Sequence, residues 1–126
     1  MEKKKILLID DNASITRPIR LLLESTERYI VQEENSGRRA LKTAQDFQPD
    51  LVFLDIMMPD MDGNEIAAQL EKDENLKDVK IVFLTAIVTK GEVTAGCVTH
   101  ISGRPVLAKP VNSKELIQCI EESLHG

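Results

Sequence analysis

Four short apolar runs, Ile6–Ile9, Leu51–Leu54, Ile81–Leu84 and Val106–Ala108, are continuous rather than alternating. Central strands of a parallel sheet have this pattern, because helices cover both faces and neither pleat position meets water. A weaker run, Tyr29–Gln32, reads as a fifth strand. Between the runs the period lengthens to that of a helix. Ile15, Ile19, Leu22 and Leu23 share one helical face, as do Ala40, Leu41 and Ala44, then Ile66, Ala67 and Leu70, then Leu116, Ile117, Ile120 and Leu124. Asp62 with Glu65, and Asn112 with Glu115, have the spacing of a helix cap answered by an acid three residues on. The stretch Ile87–Arg104 should hold another helix, yet it carries Gly91, Gly96, Gly103 and several β-branched residues. Glycine costs about 1 kcal/mol in a helix interior, so a short or irregular fourth helix is expected there. Pro18 should either sit in the first turn of the first helix or make that helix begin late.

Strand and helix thus alternate five times with short connections. This predicts an α/β fold, a doubly wound five-stranded parallel sheet with right-handed crossovers and helices on both faces, taken in the doubly wound order 2-1-3-4-5. The length of 126 residues leaves room for one domain. The net charge of −5 argues against direct nucleic-acid binding, which draws its affinity from Lys and Arg on phosphates. Aromatics at 3% and the absence of Trp also remove base-stacking platforms. Ile6–Ile9 is too short for a signal peptide, which needs about 7–15 apolar residues, or for a membrane span of about 20. A cytoplasmic location without membrane contact is expected. Cys97 and Cys119 fit no metal or disulfide framework and read as small buried hydrophobes in a reducing compartment, with a pair bonded across the last two helices as the alternative.

In doubly wound sheets, ligands bind at the carboxyl ends of the strands. The residues following the apolar runs are Asp10 and Asp11, then Asp55, then Thr85 and Ala86, then Lys109 and Pro110. In the predicted strand order they converge on one shallow pocket. Carboxylates this close repel by about 4 kcal/mol per pair at 4 Å and an effective dielectric near 20. Protonation or a cation relieves that repulsion. Oxygen-only ligands in a shallow site suit Mg²⁺. A carboxylate beside such an ion can accept a phosphoryl group, the Lys109 ammonium can clamp one of its oxygens, and the Thr85 hydroxyl can bond another. Each residue taken alone is an ordinary turn, cap or strand-end residue; their joint placement carries the reading.

The chain resembles the receiver domains of two-component response regulators, the family that includes the single-domain chemotaxis regulators. The resemblance rests on Ile9-Asp10-Asp11-Asn12, Leu54-Asp55-Ile56-Met57-Met58-Pro59, Asp62-Gly63, Leu84-Thr85-Ala86 and Ala108-Lys109-Pro110, and it covers residues 4 to 125. It implies a flavodoxin-like (βα)5 fold and a single receiver domain over 1–126. It implies that Asp55 takes a phosphoryl group from a sensor histidine kinase or phosphotransfer protein. Asp11, Asp55 and the backbone carbonyl of Met57 would bind Mg²⁺, with Asp10 binding through water. Thr85 would be the switch hydroxyl, Lys109 the phosphoryl clamp, and Pro110 would follow a cis peptide. Gly63 would shape the loop after the acceptor. The output would be a switched docking surface for a downstream protein, in a monomer or a phosphorylation-dependent dimer. The chain would be a signalling domain rather than an enzyme, catalysing at most its own phosphorylation and dephosphorylation.

The sequence departs from the family at one face. Val106 stands where receivers carry Tyr or Phe, His100-Ile-Ser-Gly-Arg104-Pro105 replaces the usual Gly-Ala-Asp segment, and Thr85 and Lys109 are 24 positions apart, slightly longer than usual. A β-branched side chain has little χ1 freedom and no ring to swing. Phosphorylation is therefore expected to reorganise residues 87–104 rather than to flip one rotamer. The resemblance implies that the side chains two positions past the acceptor and two past the switch residue flank the path of an attacking water; here they are Met57 and Ile87, both apolar and unable to orient it, so slow self-dephosphorylation is expected.

Competing readings are weaker. A flavin-binding protein of similar topology needs phosphate donors in its first loop, where Asp10-Asp11-Asn12 would repel a phosphate. An aspartyl phosphatase needs a general acid two residues after its nucleophile, where Met57 stands. A receiver-shaped interaction module that works without phosphorylation would tend to lack one of the acid, Thr and Lys residues. The chain would also fit the receiver portion of a larger regulator with an output domain.

Overall fold

The computed structural model describes residues 3–56, 58–85, 99–101, 104–108 and 113–125. The elements run β1 (Lys4–Ile9), α1 (Ala13–Ser25), β2 (Tyr29–Glu34), α2 (Ala40–Phe47), β3 (Leu51–Asp55), α3 (Gly63–Lys72), β4 (Lys80–Thr85), β5 (Thr99–Ile101), β6 (Arg104–Ala108) and α4 (Ser113–His125), with one 3₁₀ turn at Gly37–Arg39. The sheet order is β2-β1-β3-β4-β6-β5. Its first five members are parallel, in the order expected from the sequence, and β6 is the fifth parallel strand.

Period-2 geometry divides each central strand between two cores. Leu7, Ile9, Val52, Leu54, Ile81, Phe83 and Val106 face α2 and α3, packing with Ala40, Ala44, Ile66, Ala67 and Leu70. Ile6, Leu8, Leu51, Phe53, Val82, Leu84 and Leu107 face α1 and α4, packing with Leu23, Leu116, Cys119 and Ile120. Two covered faces explain why the runs are apolar throughout. β2 read weakly because it lies at the sheet edge: Tyr29 and Val31 are buried while Ile30 and Gln32 are exposed.

Four expectations need correction or completion. A sixth strand, β5, falls inside the stretch assigned to a fourth helix and pairs antiparallel with β6, with His100 opposite Pro105. β-branched Thr99 and Ile101 suit a pleated ladder. The rest of the stretch 87–104 in which the short or irregular fourth helix was expected, residues 87–98 and 102–103, lies outside the described residues. Pro18 lies within α1 beyond its first turn, so Ser14 loses a helical donor; both residues are exposed, where water can serve that carbonyl. Cys119 is fully buried as expected, but it is disulfide-bonded rather than a free thiol, and the other cysteine, Cys97, lies outside the described residues.

The cap expected at Asp62 is formed, and α1 has a cap that the sequence reading did not name. Asn12 caps α1 by accepting from the Ser14 N–H at 2.9 Å, and Asp62 caps α3 by accepting from the Asn64 N–H at 2.7 Å. Asn112 falls outside the described residues. No helix among the described residues is long and apolar enough to cross a membrane.

Candidate functional site

β1 and β3 are neighbours, with Ile9 paired to Leu54. The next residues along the two strand paths, Asp10 and Asp55, therefore emerge side by side at the carboxyl edge of the sheet. Asp10, Asp11 and Asp55 each place a carboxylate oxygen within 4.8 Å of the others. Asp10 and Asp55 are buried, at 1% and 5% exposure, while Asp11 is exposed. The group is thus closed beneath and open to solvent on the Asp11 side. Its donor set is three hard oxygens, which fits a small divalent cation such as Mg²⁺ that keeps several waters.

Two neighbouring turns hold this edge in shape. Asp10 donates its backbone N–H to the Glu34 carbonyl at 3.2 Å, and its Oδ1 accepts from the Asn12 N–H at 3.0 Å. After β3 the chain folds back on itself, and Gly63 donates to the Ile56 carbonyl at 3.0 Å. A Cβ on Gly63 would lie 2.6 Å from the Asp55 carbonyl oxygen and 2.8 Å from the Ile56 Cα. Only glycine permits this approach, consistent with the loop-shaping role expected of the Gly63 region.

Asp55 pairs with Leu84, so Thr85 follows at the same sheet edge, and Thr85 pairs in turn with Ala108. The register therefore aligns the ends of β3, β4 and β6. Of the residues singled out by sequence, the structure brings together Asp10, Asp11 and Asp55. It places the Thr85 backbone at the end of β4; the Thr85 side chain, Met57, Lys109 and Pro110 lie outside the described residues. Val106 is fully buried beside Phe83 in the sheet.

The sequence reading missed the polar residues at the end of β2 and in the β3–α3 loop. Glu34 is buried at 8% exposure, accepts from the Ser36 N–H at 3.0 Å and from the Thr43 hydroxyl, and faces Arg39 at 3.5 Å. Glu33 accepts from the Thr16 hydroxyl at 2.6 Å and pairs with Arg17 at 3.2 Å and Arg20 at 3.4 Å. Burial alone would raise the Glu33 carboxyl; the hydrogen bonds from Thr16, Arg17 and Arg20 outweigh it and hold the group below its ordinary value. Asp60 of the β3–α3 loop reaches Ser36 Oγ and the Arg38 N–H, both at 3.2 Å. Partial burial of the Asp60 carboxyl is likewise outweighed by the donors around it, which lower its pKa. The one available sequence signal was the run Glu33-Glu34-Asn35 at a strand's carboxyl end, directly beside Asp10 in the predicted order.

Comparison with known proteins agrees with this geometry. The family model for the response regulator receiver domain matches residues 6–121. The polar-differentiation response regulator DivK of Brucella ovis is 30% identical over 125 residues, covering 96% of each chain. The chemotaxis protein CheY4 of Vibrio cholerae superposes with a TM-score of 0.82 at 27% identity, over 98% of this chain and 100% of that one. The receiver domain of a Pseudomonas aeruginosa sensor histidine kinase, solved with a magnesium ion coordinated in its active-site cleft, superposes with a TM-score of 0.80 at 26% identity, over 99% and 100%. The family match spans nearly all of the sheet-and-helix framework that gathers the three acids, and the chain belongs to the response regulator receiver domain family.

Proposed function

We propose that this chain is a cytoplasmic receiver domain, spanning residues 1–126, that accepts a phosphoryl group on Asp55 and thereby switches a protein-docking surface. The observation that carries this reading is the meeting of Asp10, Asp11 and Asp55 within 4.8 Å at the sheet's carboxyl edge. Asp11, Asp55 and the Met57 backbone carbonyl would hold Mg²⁺, with Asp10 reaching it through water. When bound, the ion supplies positive charge against the incoming phosphoryl oxygens.

The remaining work falls to the chain itself. An Asp55 carboxylate oxygen attacks phosphorus in line as the P–N bond of a partner's phosphohistidine breaks. The bonding pair leaves with the imidazole nitrogen, and an acyl phosphate forms on Asp55. Little covalent chemistry is asked of other residues, so positioning and charge stabilisation dominate. The Lys109 ammonium pairs with one phosphoryl oxygen, and the Thr85 hydroxyl donates to another. Movement of Thr85 toward the phosphoryl group would be felt along β4 and its neighbour β6, the two strands whose ends its register joins.

The magnesium ion in the Pseudomonas aeruginosa receiver supports the cation assignment. The partners follow from the chemistry: a donor carrying phosphohistidine, in a kinase or phosphotransfer protein, and a protein target that reads the switched face. Incubation with acetyl phosphate tests the reading. A mass increase of about 80 Da that requires Mg²⁺ and disappears in Asp55→Asn is expected. No incorporation in the presence of Mg²⁺ would favour an interaction module that works without phosphate, and incorporation that persists with chelator would count against the role given to the cation.

A further inference from the structure

Asn35 lies one residue past β2 and is exposed, yet its amide nitrogen reaches inward to two groups. It donates to the Asp10 backbone carbonyl at 2.7 Å and to Thr16 Oγ1 at 3.1 Å. Thr16 is buried, at 1% exposure, and its hydroxyl proton goes to Glu33 at 2.6 Å. Glu33 in turn accepts from Arg17 and Arg20. The direction of every bond is fixed. A carbonyl only accepts, a carboxylate only accepts, and a hydroxyl that donates to Glu33 must accept from Asn35. The amide nitrogen of Asn35 is therefore the donor to both partners.

This arrangement bears on the acidic site. Asp10 is gripped at its N–H by Glu34, at its side chain by Asn12 and at its carbonyl by Asn35. The Asn35 bond is the shortest of the three, and it is the one that fixes the peptide plane joining Asp10 to Asp11. Rotation of that plane would carry the Asp11 carboxylate away from Asp10 and Asp55. Outer residues that orient ligands commonly change metal affinity by about 10–100-fold when removed.

We infer that Asn35 is a positioning residue for the divalent-cation site, held in its own orientation by the buried Thr16 hydroxyl and the Glu33 carboxylate that the surface arginines Arg17 and Arg20 secure. The inference rests on the reading that Asp10, Asp11 and Asp55 bind Mg²⁺. Its test is the Mg²⁺ dissociation constant, followed by amide chemical shifts in the unphosphorylated protein, together with hydrogen exchange at the Asp11 and Asn12 amides. Asn35→Ala should weaken Mg²⁺ by roughly tenfold and speed that exchange while leaving the rest of the amide spectrum in place. Asn35→Gln, which keeps the amide, should recover part of the loss. Thr16→Val should weaken Mg²⁺ less than Asn35→Ala, and the double variant should fall short of the summed effects, since both act through one chain of bonds. A dissociation constant within about twofold of the parent in a folded Asn35→Ala, against the tenfold expected, or full additivity with Thr16→Val, would overturn the inference. If the parent protein itself bound no Mg²⁺, the reading beneath it would fail instead, and this inference with it.

Discussion

Gly63 packs directly on the backbone of Asp55: a Cβ on the glycine would lie 2.6 Å from the Asp55 carbonyl oxygen. The contact joins the start of α3 to the end of β3. The same glycine donates to the Ile56 carbonyl, so the loop between the two elements is closed at its base. Because the opposing atoms are backbone, neither side can yield by changing a rotamer. Gly63→Ala should cost about 1–3 kcal/mol of stability, the range for overpacking a closed site. Denaturant unfolding measures this. The same variant should take up phosphate from a small donor more slowly, because relief of the clash must displace Asp55.

Val106 is fully buried, and its backbone pairs with Phe83 on β4. A larger ring at this position has no exposed orientation ready for it. Val106→Tyr should therefore destabilise the fold by about 1–3 kcal/mol rather than restore an aromatic switch. A thermal midpoint equal to or above that of the parent would show that the site has room this packing does not reveal.

Glu33 gives a pH dependence of defined sign. Its hydrogen bonds hold the folded-state carboxyl below its ordinary 4.5, so the folded state favours the ionised form. The stability it contributes is complete above 4.5 and is lost as pH falls through the folded value. The stability difference between the parent and Glu33→Gln should therefore be constant near neutrality and shrink on acidification. Urea midpoints of the two proteins along a pH series check this.

Met57 and Ile87 are apolar at the positions that flank the path of an attacking water in the receiver family. Phosphorylated protein should decay slowly, and Met57→Glu should accelerate decay by roughly tenfold or more, since a positioned acid–base group contributes on that scale. Loss of label from the parent within seconds would contradict this.

The sheet was legible because its central strands are covered on both faces. Ile6–Ile9 and Leu51–Leu54 carry no polar residue to blur the pattern, and Asp10 and Asp55 follow them directly. Edge elements were less legible. β5 has three residues, too few for a period to register, and the glycine-bearing stretch around it reads equally as a poor helix. Pro18 was misplaced because helix rules weigh the lost donor without knowing that Ser14 is exposed. Asn35 was passed over because a polar residue after a strand reads as loop. Its role depends on Thr16 and Asp10, which stand 19 and 25 positions away and meet it only in the fold. The Cys119 disulfide carries no spacing signature at all.

In the proposed reaction Asp55, rather than either acid beside it, carries the phosphoryl group. Borohydride reduces an acyl phosphate on aspartate to homoserine and leaves free carboxylates untouched, so it records the site directly. Protein treated with acetyl phosphate and Mg²⁺, reduced and digested, should yield homoserine at position 55 and aspartate at positions 10 and 11. Homoserine at Asp10 or Asp11, or phosphate recovered only as an ester on Thr85, would contradict the account.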